Sequence, residues 1–161
     1  MEIYLVRHGD YVDQGSHSIE QDSRNQLSEV GVKKLQQEAG ILAKWKVPVG
    51  RIVTSPFVRA KQTAKIIAEA LNVPVDEHVG LTRTSFNIQV LQQILSGYSQ
   101  IDSLMLVGHE SDLSKVASAV IGGGALLLDR GGIIRITLDT IEPPQGKLVW
   151  LLSPEVMAAI S

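Results

Sequence analysis

Two histidines and two arginines follow apolar runs that have the composition of buried strands. Arg7 and His8 come directly after the first run, Arg59 shortly after the second, and His109 after the third. Because ligands of open α/β sheets bind at the carboxyl ends of the strands, we expect these four side chains to line one pocket. Guanidinium groups offer planar forks of donors to phosphate oxygens. The pattern therefore predicts a site for phosphoryl chemistry.

The histidines of this set have chemistry that the arginines alone lack. Nearby positive charge disfavours protonation of His8, and a neutral imidazole nitrogen can attack phosphorus. His109 is placed to donate a hydrogen bond to a phosphoryl oxygen in the transition state. Ser55 and Pro56 are predicted to be the N-cap and first residue of a helix, whose free N–H groups would lie close to Arg59. We therefore predict that all four side chains are catalytic and bind the phosphoryl group.

A metal site is the other common use of paired histidines, and the sequence argues against one. Zinc takes three or four ligands, often at short local spacing, whereas the two histidines here are accompanied by arginines, which repel a cation. His17 and His78 lie in polar stretches without a pattern and are predicted to be solvated. Cysteine is absent from the sequence, which excludes thiolate chemistry and disulfides.

Apolar runs alternate with segments of helical period along the chain, as in α/β proteins. We predict a three-layer α/β/α sandwich whose sheet is mostly parallel, with an antiparallel edge strand. The stretches 10–26 and 74–80 show no clear pattern. Strands are predicted at 3–6, 51–54, 103–107, 133–138 (the antiparallel edge) and 147–152, and helices at 28–45, 55–71, 86–95, from 111 to the glycines at 122–124, and shortly after 154.

Composition limits the classes of partner. The 161 residues carry 15 Lys and Arg against 17 Asp and Glu, so there is no general attraction to nucleic acid or to anionic lipid. No apolar stretch approaches the roughly 18 residues that span a bilayer, and the first residues lack the charge of a signal peptide. We expect a cytoplasmic protein with one domain over 1–161, without nucleic acid or membrane partners.

Several segments carry a family resemblance. They lie in order along nearly the whole chain, at 5–10, 27–31, 54–63, 107–110, 131–133 and 152–154. In them the chain resembles the histidine phosphatase superfamily, which has the phosphoglycerate-mutase-like fold, and within it the short SixA type of phosphohistidine phosphatase. The resemblance implies that His8 becomes phosphorylated and that Arg7, Arg59 and His109 complete the phosphate pocket. It also implies that neither a metal nor a dissociable cofactor takes part.

The sequence departs from the superfamily at one functional position. Many of its phosphatases carry a carboxylic acid after the second helix that protonates the leaving alcohol, but residues 80–85 here contain none. Glu77, Glu110 and Asp10 are the candidate replacements. General acid catalysis is typically worth about 10²–10⁴-fold, and imidazole leaves more readily than an alkoxide. A missing acid therefore favours phosphohistidine on a protein domain over a small phosphorylated molecule as the substrate.

Three alternatives stay open at this point. A broad small-molecule phosphomonoesterase would use one of those three carboxylates as its acid. A module that only binds phosphate would not need a nucleophile, and a mutase would need a second phosphate site. The sequence gives no oligomeric state and does not place Arg24, Arg83 or Arg130 relative to the pocket.

Overall fold

Strands of nearly continuous apolar residues form the centre of the molecule. The computed structural model describes residues 1–161 and contains one six-stranded sheet. The strands are β1 (Glu2–Arg7), β2 (Arg51–Thr54), β3 (Val75–Glu77), β4 (Ser103–Gly108), β5 (Ile133–Ile141) and β6 (Pro144–Leu152). They lie in the order β3-β2-β4-β1-β5-β6. β1 and β4 pair in parallel, with Arg7 opposite Gly108, and β2 pairs in parallel with β4 and β3.

Helices cover both faces of this sheet, so the predicted three-layer α/β/α arrangement is confirmed. The helices are α1 (Ile19–Ser23), α2 (Glu29–Lys44), α3 (Val58–Leu71), α4 (Ile88–Gly97), α5 (Asp112–Val120) and α6 (Pro154–Ala159), with a 3₁₀ turn at Val79–Leu81. Side chains alternate between the faces of a strand. Ile3 and Leu5 therefore pack with α4 and α5, while Tyr4 and Val6 pack with α2, α3 and α6. No helix combines the length and apolar character needed to cross a membrane.

The start of α2 is close to its predicted position. The side chain of Ser28 accepts a hydrogen bond from the N–H of Gly31, as an N-cap does, and the Ser28 N–H donates to the carbonyl of Asp10. A Cβ atom on Gly31 would overlap that same carbonyl. Glycine at this position therefore lets α2 approach the chain that leaves β1.

The predicted start of α3 is wrong. Ser55 is not the N-cap and Pro56 is not the first helical residue, since α3 begins at Val58 with Phe57 as its N-cap. The Ser55 hydroxyl instead accepts from the N–H of Phe57 at 3.2 Å, two residues further on. This local bond forms a turn between β2 and the helix, and it leaves Ser55 beside the functional residues described below.

Other differences come from segments whose apolar pattern is weak. β5 is antiparallel as predicted, but it lies between β1 and β6, and β6 is the edge strand. α1 and β3 fall in the two stretches without a pattern. α4 begins two residues later than predicted because Asn87 caps it through the Val90 N–H at 2.9 Å.

Candidate active site

The carboxyl ends of β1, β2 and β4 open into a cleft of about 670 Å³. Arg7, His8, Arg59 and His109 all line it, so the structure brings together the four residues that the sequence singles out. Arg7 is the last residue of β1, His8 and His109 directly follow β1 and β4, and Arg59 lies in the first turn of α3. Apart from Arg7, which is half-buried, these side chains are buried.

Backbone bonds fix the end of β1 on both sides. The His8 N–H donates to the Gly108 carbonyl at 3.2 Å, and the Gly131 N–H is shared between the carbonyls of Arg7 and His8 at 3.0 and 3.1 Å. The guanidinium of Arg7 donates through Nη1 to the Leu128 carbonyl at 3.0 Å. Its Nε is buried without a hydrogen-bond partner. The turn around residue 131 therefore holds both the backbone and the side chain of Arg7.

The hydrogen bonds of His8 identify its free nitrogen. Nδ1 lies 2.9 Å from the carbonyl oxygen of Gly9, and a carbonyl only accepts, so Nδ1 carries the proton. Nε2 then holds a lone pair, to which the Nε of Arg59 donates at 3.2 Å. The Gly9 N–H is in turn bound by Thr63 Oγ1 at 3.1 Å. The nitrogen that can attack phosphorus is Nε2.

His8 and His109 are both neutral at physiological pH. Burial lowers the pKa of His8 to about 3, and the charges of Arg59 and Arg7 act in the same direction against the bond to Gly9. Burial likewise lowers the pKa of His109 to about 3, with His8 and Arg59 adding to the effect. A neutral His8 keeps its lone pair available for attack.

Arg59 is held by a carboxylate that the sequence analysis missed. Its side chain is 2% exposed, and Nη1 donates to the backbone carbonyl of Asp22 at 2.7 Å. The Asp22 carboxylate, in α1, accepts from Nη2 of Arg59 at 3.2 Å and from Nη1 of Arg83 at 3.0 Å. Burial alone would raise the pKa of Asp22, but the bonds from the two arginines outweigh it and lower the pKa. In the sequence Asp22 is one of four acids in the unpatterned stretch 10–26, so no signal marks it.

His109 has one partner inside the protein. Its Nε2 lies 2.8 Å from the hydroxyl of Ser55, and its ring packs against Phe57 and His8 with centroids 4.8 and 5.2 Å apart. Its Nδ1 is buried without a hydrogen-bond partner. The sequence predicted backbone N–H groups near Ser55 as part of the site, but gave no role to the Ser55 hydroxyl or to Phe57.

Tyr11 forms an aromatic wall of the cleft and was also missed. Its ring packs edge-on against His8 at 5.3 Å between centroids. The guanidinium carbons of Arg59 and Arg130 lie 4.5 and 4.8 Å from the centre of the Tyr11 ring. These contacts are in the range of cation–π attraction and restrict where Arg59 can move.

The three candidate acids lie in different places. Glu77 pairs with Lys61 at 3.0 Å, outside the cleft. Asp10 is also outside it and pairs with Lys34 at 3.0 Å. Only Glu110 lines the cleft, and its Oε1 accepts from the N–H of Ser114 at 2.8 Å.

The remaining arginines and histidines divide between the cleft and the surface. Arg83 reaches the cleft through its pair with Asp22, whereas Arg24 pairs with Glu20 on the surface. His17 is exposed as predicted and stands at the cleft wall. His78 was predicted to be solvated but is half-buried, because its Nδ1 caps the 3₁₀ turn through the Gly80 N–H at 3.0 Å. No group of three or more acidic or histidine side chains is arranged to hold a metal ion.

A buried carboxyl group lies behind the turn that holds Arg7. Glu38 of α2 is 5% exposed, and both its carboxyl oxygens approach Gly131 so closely that a Cβ there would lie 3.0 Å from each. Burial raises the pKa of Glu38 to about 8, with Asp10 adding to the effect and Lys34 opposing it. Glu38 is therefore mostly protonated at neutral pH.

Comparison with known proteins places this arrangement in a family. The model of the histidine phosphatase superfamily (branch 1) matches residues 3–95. Phosphohistidine phosphatase SixA of Escherichia coli (strain K12) is 27% identical over 168 residues, covering 96% of this chain and 94% of SixA. The probable phosphoglycerate mutase GpmB of Yersinia enterocolitica is 36% identical over 159 residues, covering 95% of this chain and 69% of GpmB.

Solved structures share the fold over nearly the full chain. The histidine phosphatase SixA complexed with tungstate superposes with a TM-score of 0.84 at 24% identity, covering 100% of both chains. A mycobacterial glucosyl-3-phosphoglycerate phosphatase complexed with VO3 superposes with a TM-score of 0.72 at 16% identity, covering 94% of this chain and 99% of the other. The predicted fold is therefore confirmed.

Proposed function

This chain belongs to the histidine phosphatase superfamily and is a phosphatase, and we propose that it hydrolyses phosphohistidine through a covalent intermediate on His8. The observation that supports the proposal most strongly is the hydrogen bond from His8 Nδ1 to the Gly9 carbonyl. Because Nδ1 carries the proton, Nε2 has a free lone pair and faces the cationic Nε of Arg59. The similarity to a protein named phosphohistidine phosphatase SixA supports the choice of substrate.

In the first step Nε2 of His8 attacks the phosphorus in line with the leaving nitrogen. The new P–N bond forms as the substrate's P–N bond breaks, and the substrate imidazole leaves with the electron pair, neutral if its other nitrogen is protonated. Arg59 exchanges its bond to Nε2 for a phosphoryl oxygen. The unpartnered N–H of Arg7 and ring nitrogen of His109 are two further groups for the remaining oxygens.

In the second step water attacks the same phosphorus and the P–Nε2 bond breaks, which releases inorganic phosphate and restores neutral His8. The Gly9 carbonyl keeps its bond to Nδ1 throughout. Because the phosphorylated ring carries positive charge, this carbonyl dipole stabilises the intermediate. The reaction is therefore a two-step displacement in which the protein supplies a nucleophile, positioning and charge.

The carboxylates of the cleft favour a nitrogen leaving group. Asp22 is ionised and bound by two arginines, so it has no proton to give. Glu110 is engaged by the Ser114 N–H. Asp13 is exposed and accepts from the N–H groups of its own turn. An alkoxide leaving group would lack a placed proton donor, whereas imidazole does not need one.

Replacing His8 with alanine tests the covalent step. We expect the His8→Ala variant to fold, to lose hydrolysis of a phosphohistidine protein, and to take up no phosphorus from it. The wild type should give an acid-labile, alkali-stable phosphoenzyme with a 31P resonance of a phosphoramidate. A His78→Asn variant is the matched control, because asparagine can also cap the 3₁₀ turn and position 78 lies outside the cleft. Hydrolysis that survives in folded His8→Ala would refute the mechanism.

A small-molecule phosphomonoesterase is the second candidate, and the position of Glu110 in the cleft favours it. If Glu110 released Ser114 and turned inward, it could protonate an alcohol. Turnover of a phosphohistidine protein and of a panel of sugar phosphates and phosphoglycerates, by wild type and by Glu110→Gln, separates the two candidates. We expect higher kcat/KM on phosphohistidine and little effect of Glu110→Gln. The opposite pair of results would select the esterase.

A further inference from the structure

The Ser55 hydroxyl is a buried polar group that the mechanism above does not use. Ser55 is fully buried, and its Oγ touches two groups, the Phe57 N–H at 3.2 Å and Nε2 of His109 at 2.8 Å. We propose that Ser55 is a positioning residue that fixes His109 in the tautomer protonated at Nδ1. This inference rests on the proposed function for its catalytic consequence, but the tautomer itself can be observed without any substrate.

The donors and acceptors around the Ser55 hydroxyl determine which group donates in its bond with His109. Ser55 has one proton and two lone pairs, and one lone pair receives the Phe57 N–H. The remaining contact of the hydroxyl is Nε2 of His109. If Nε2 were the donor, the Ser55 proton would be buried without an acceptor, an arrangement that folded proteins avoid. The Ser55 O–H therefore donates to Nε2.

The other nitrogen of His109 then follows from the chemistry of a neutral imidazole. Such a ring has one acceptor nitrogen and one N–H donor. With Nε2 accepting from Ser55, the proton is on Nδ1, the atom that is buried without a partner. His109 lines the cleft beside Arg7, His8 and Arg59, so the missing acceptor is an oxygen of the bound phosphoryl group. In the other tautomer a lone pair on Nδ1 would repel that oxygen.

His8 and His109 thus share one tautomer but have opposite roles. His8 donates its Nδ1 proton to a carbonyl and has a lone pair on Nε2, whereas His109 has its lone pair occupied by a hydroxyl and offers an N–H. The Gly9 carbonyl makes His8 a nucleophile at Nε2, and the Ser55 hydroxyl makes His109 a hydrogen-bond donor to an oxyanion at Nδ1. The partner of each ring determines which chemistry that ring performs.

15N NMR of the histidine-labelled protein tests this assignment directly. In the wild type at pH 7 we expect a protonated Nδ1 and an unprotonated Nε2 for His109, with the Nδ1 proton shifting when orthovanadate is added. In Ser55→Ala we expect both nitrogens to move toward the average of two tautomers. Ser55→Thr, which keeps the hydroxyl, should restore the wild-type pattern. Thr54→Val is the matched control, since it removes a neighbouring buried hydroxyl that donates to the Ser55 carbonyl and does not contact His109.

Kinetics give the second readout. Removing an oxyanion donor typically costs about 10²–10³-fold in kcat, and a mixed tautomer retains part of the donor. We therefore expect Ser55→Ala to lower kcat by roughly 10–100-fold with a smaller change in KM. A wild-type His109 protonated at Nε2 would overturn the inference whether or not any variant folds, and so would an unchanged tautomer in folded Ser55→Ala. An Nδ1-protonated His109 in an enzyme without phosphohistidine activity would support this inference and overturn the proposed substrate.

Discussion

The ion pair between Asp22 and Arg59 makes Asp22→Asn an informative substitution. Asparagine has the shape of aspartate but lacks the charge that balances a guanidinium 2% exposed to solvent. Breaking a buried pair by removing one partner costs about 3–5 kcal/mol. The backbone carbonyl of residue 22 still accepts from Arg59 and the asparagine oxygen keeps one bond, so we expect a loss of about 3 kcal/mol, the lower end of that range. For a chain of this length the melting temperature should fall by roughly 6–12 °C.

Urea and thermal denaturation of the ligand-free protein measure this loss, with the two tryptophans as fluorescent probes. Asp13→Asn is the matched control, because Asp13 lines the same cleft, is exposed, and binds only the N–H groups of Gly15 and Ser16. Asparagine makes the same turn, so we expect a change within about 0.5 kcal/mol.

Orthovanadate extends the test to the site itself. An oxyanion bound at Arg59 supplies the negative charge that Asp22→Asn removes, so vanadate at a saturating concentration should raise the melting temperature of the variant more than that of the wild type. If Asp22→Asn proved as stable as Asp13→Asn, or if vanadate stabilised it less than the wild type, the ion pair would not be what holds Arg59 ready for an anion.

Three further predictions concern stability. The folded pKa of Glu38, about 8, exceeds that of an unfolded glutamate, so the contribution of Glu38 to stability should be lost as pH rises from about 5 to 8. Glu38→Gln should therefore be about 3 kcal/mol more stable than wild type at pH 8 in urea denaturation but not at pH 5. His8 and His109 have folded pKa values of about 3, so their contribution to stability should be lost as pH falls below about 6.5, by up to about 1.4 kcal/mol per pH unit for each ring. His109→Asn should therefore show a shallower loss of stability on the acid side. Gly31→Ala should lower the free energy of unfolding by about 1–3 kcal/mol, because the new methyl group would overlap a backbone carbonyl. Gly40→Ala, on the same helix but in open space, should raise it by about 0.5–1 kcal/mol. Equal effects of the two substitutions would refute this explanation.

The parts of the site that could be read from the sequence are those attached to strand ends. Arg7, His8 and His109 follow runs that are apolar enough to be recognised as buried strands, and the topology of such sheets brings strand ends together. The helix carrying Arg59 was recognised by its apolar period. Four residues from three distant segments can thus be assigned to one cleft from the sequence.

The supporting residues could not be found in this way. Asp22 and Tyr11 both contact Arg59, which is more than 35 positions further along the chain. Ser55 contacts His109 through one hydroxyl in a turn. Contacts of these kinds produce no periodic pattern in the sequence. β5 was misplaced at the edge for a related reason. Alternation reports which faces of a strand are covered, and does not report which strand pairs beside it.

The pairing of β1 with β4 has a consequence for how this site tolerates insertions and deletions. Arg7 stands opposite Gly108, so the next residue on each strand is a cleft histidine, and the two rings lie 5.2 Å apart. One residue added within β1 would send every following side chain to the opposite face and turn His8 away from its partner. Added residues in the connection between β5 and β6, far along the chain from either histidine, would leave that spacing intact. The length of the β5–β6 connection is free to vary, whereas the length of the two central strands is tied to the chemistry of the site.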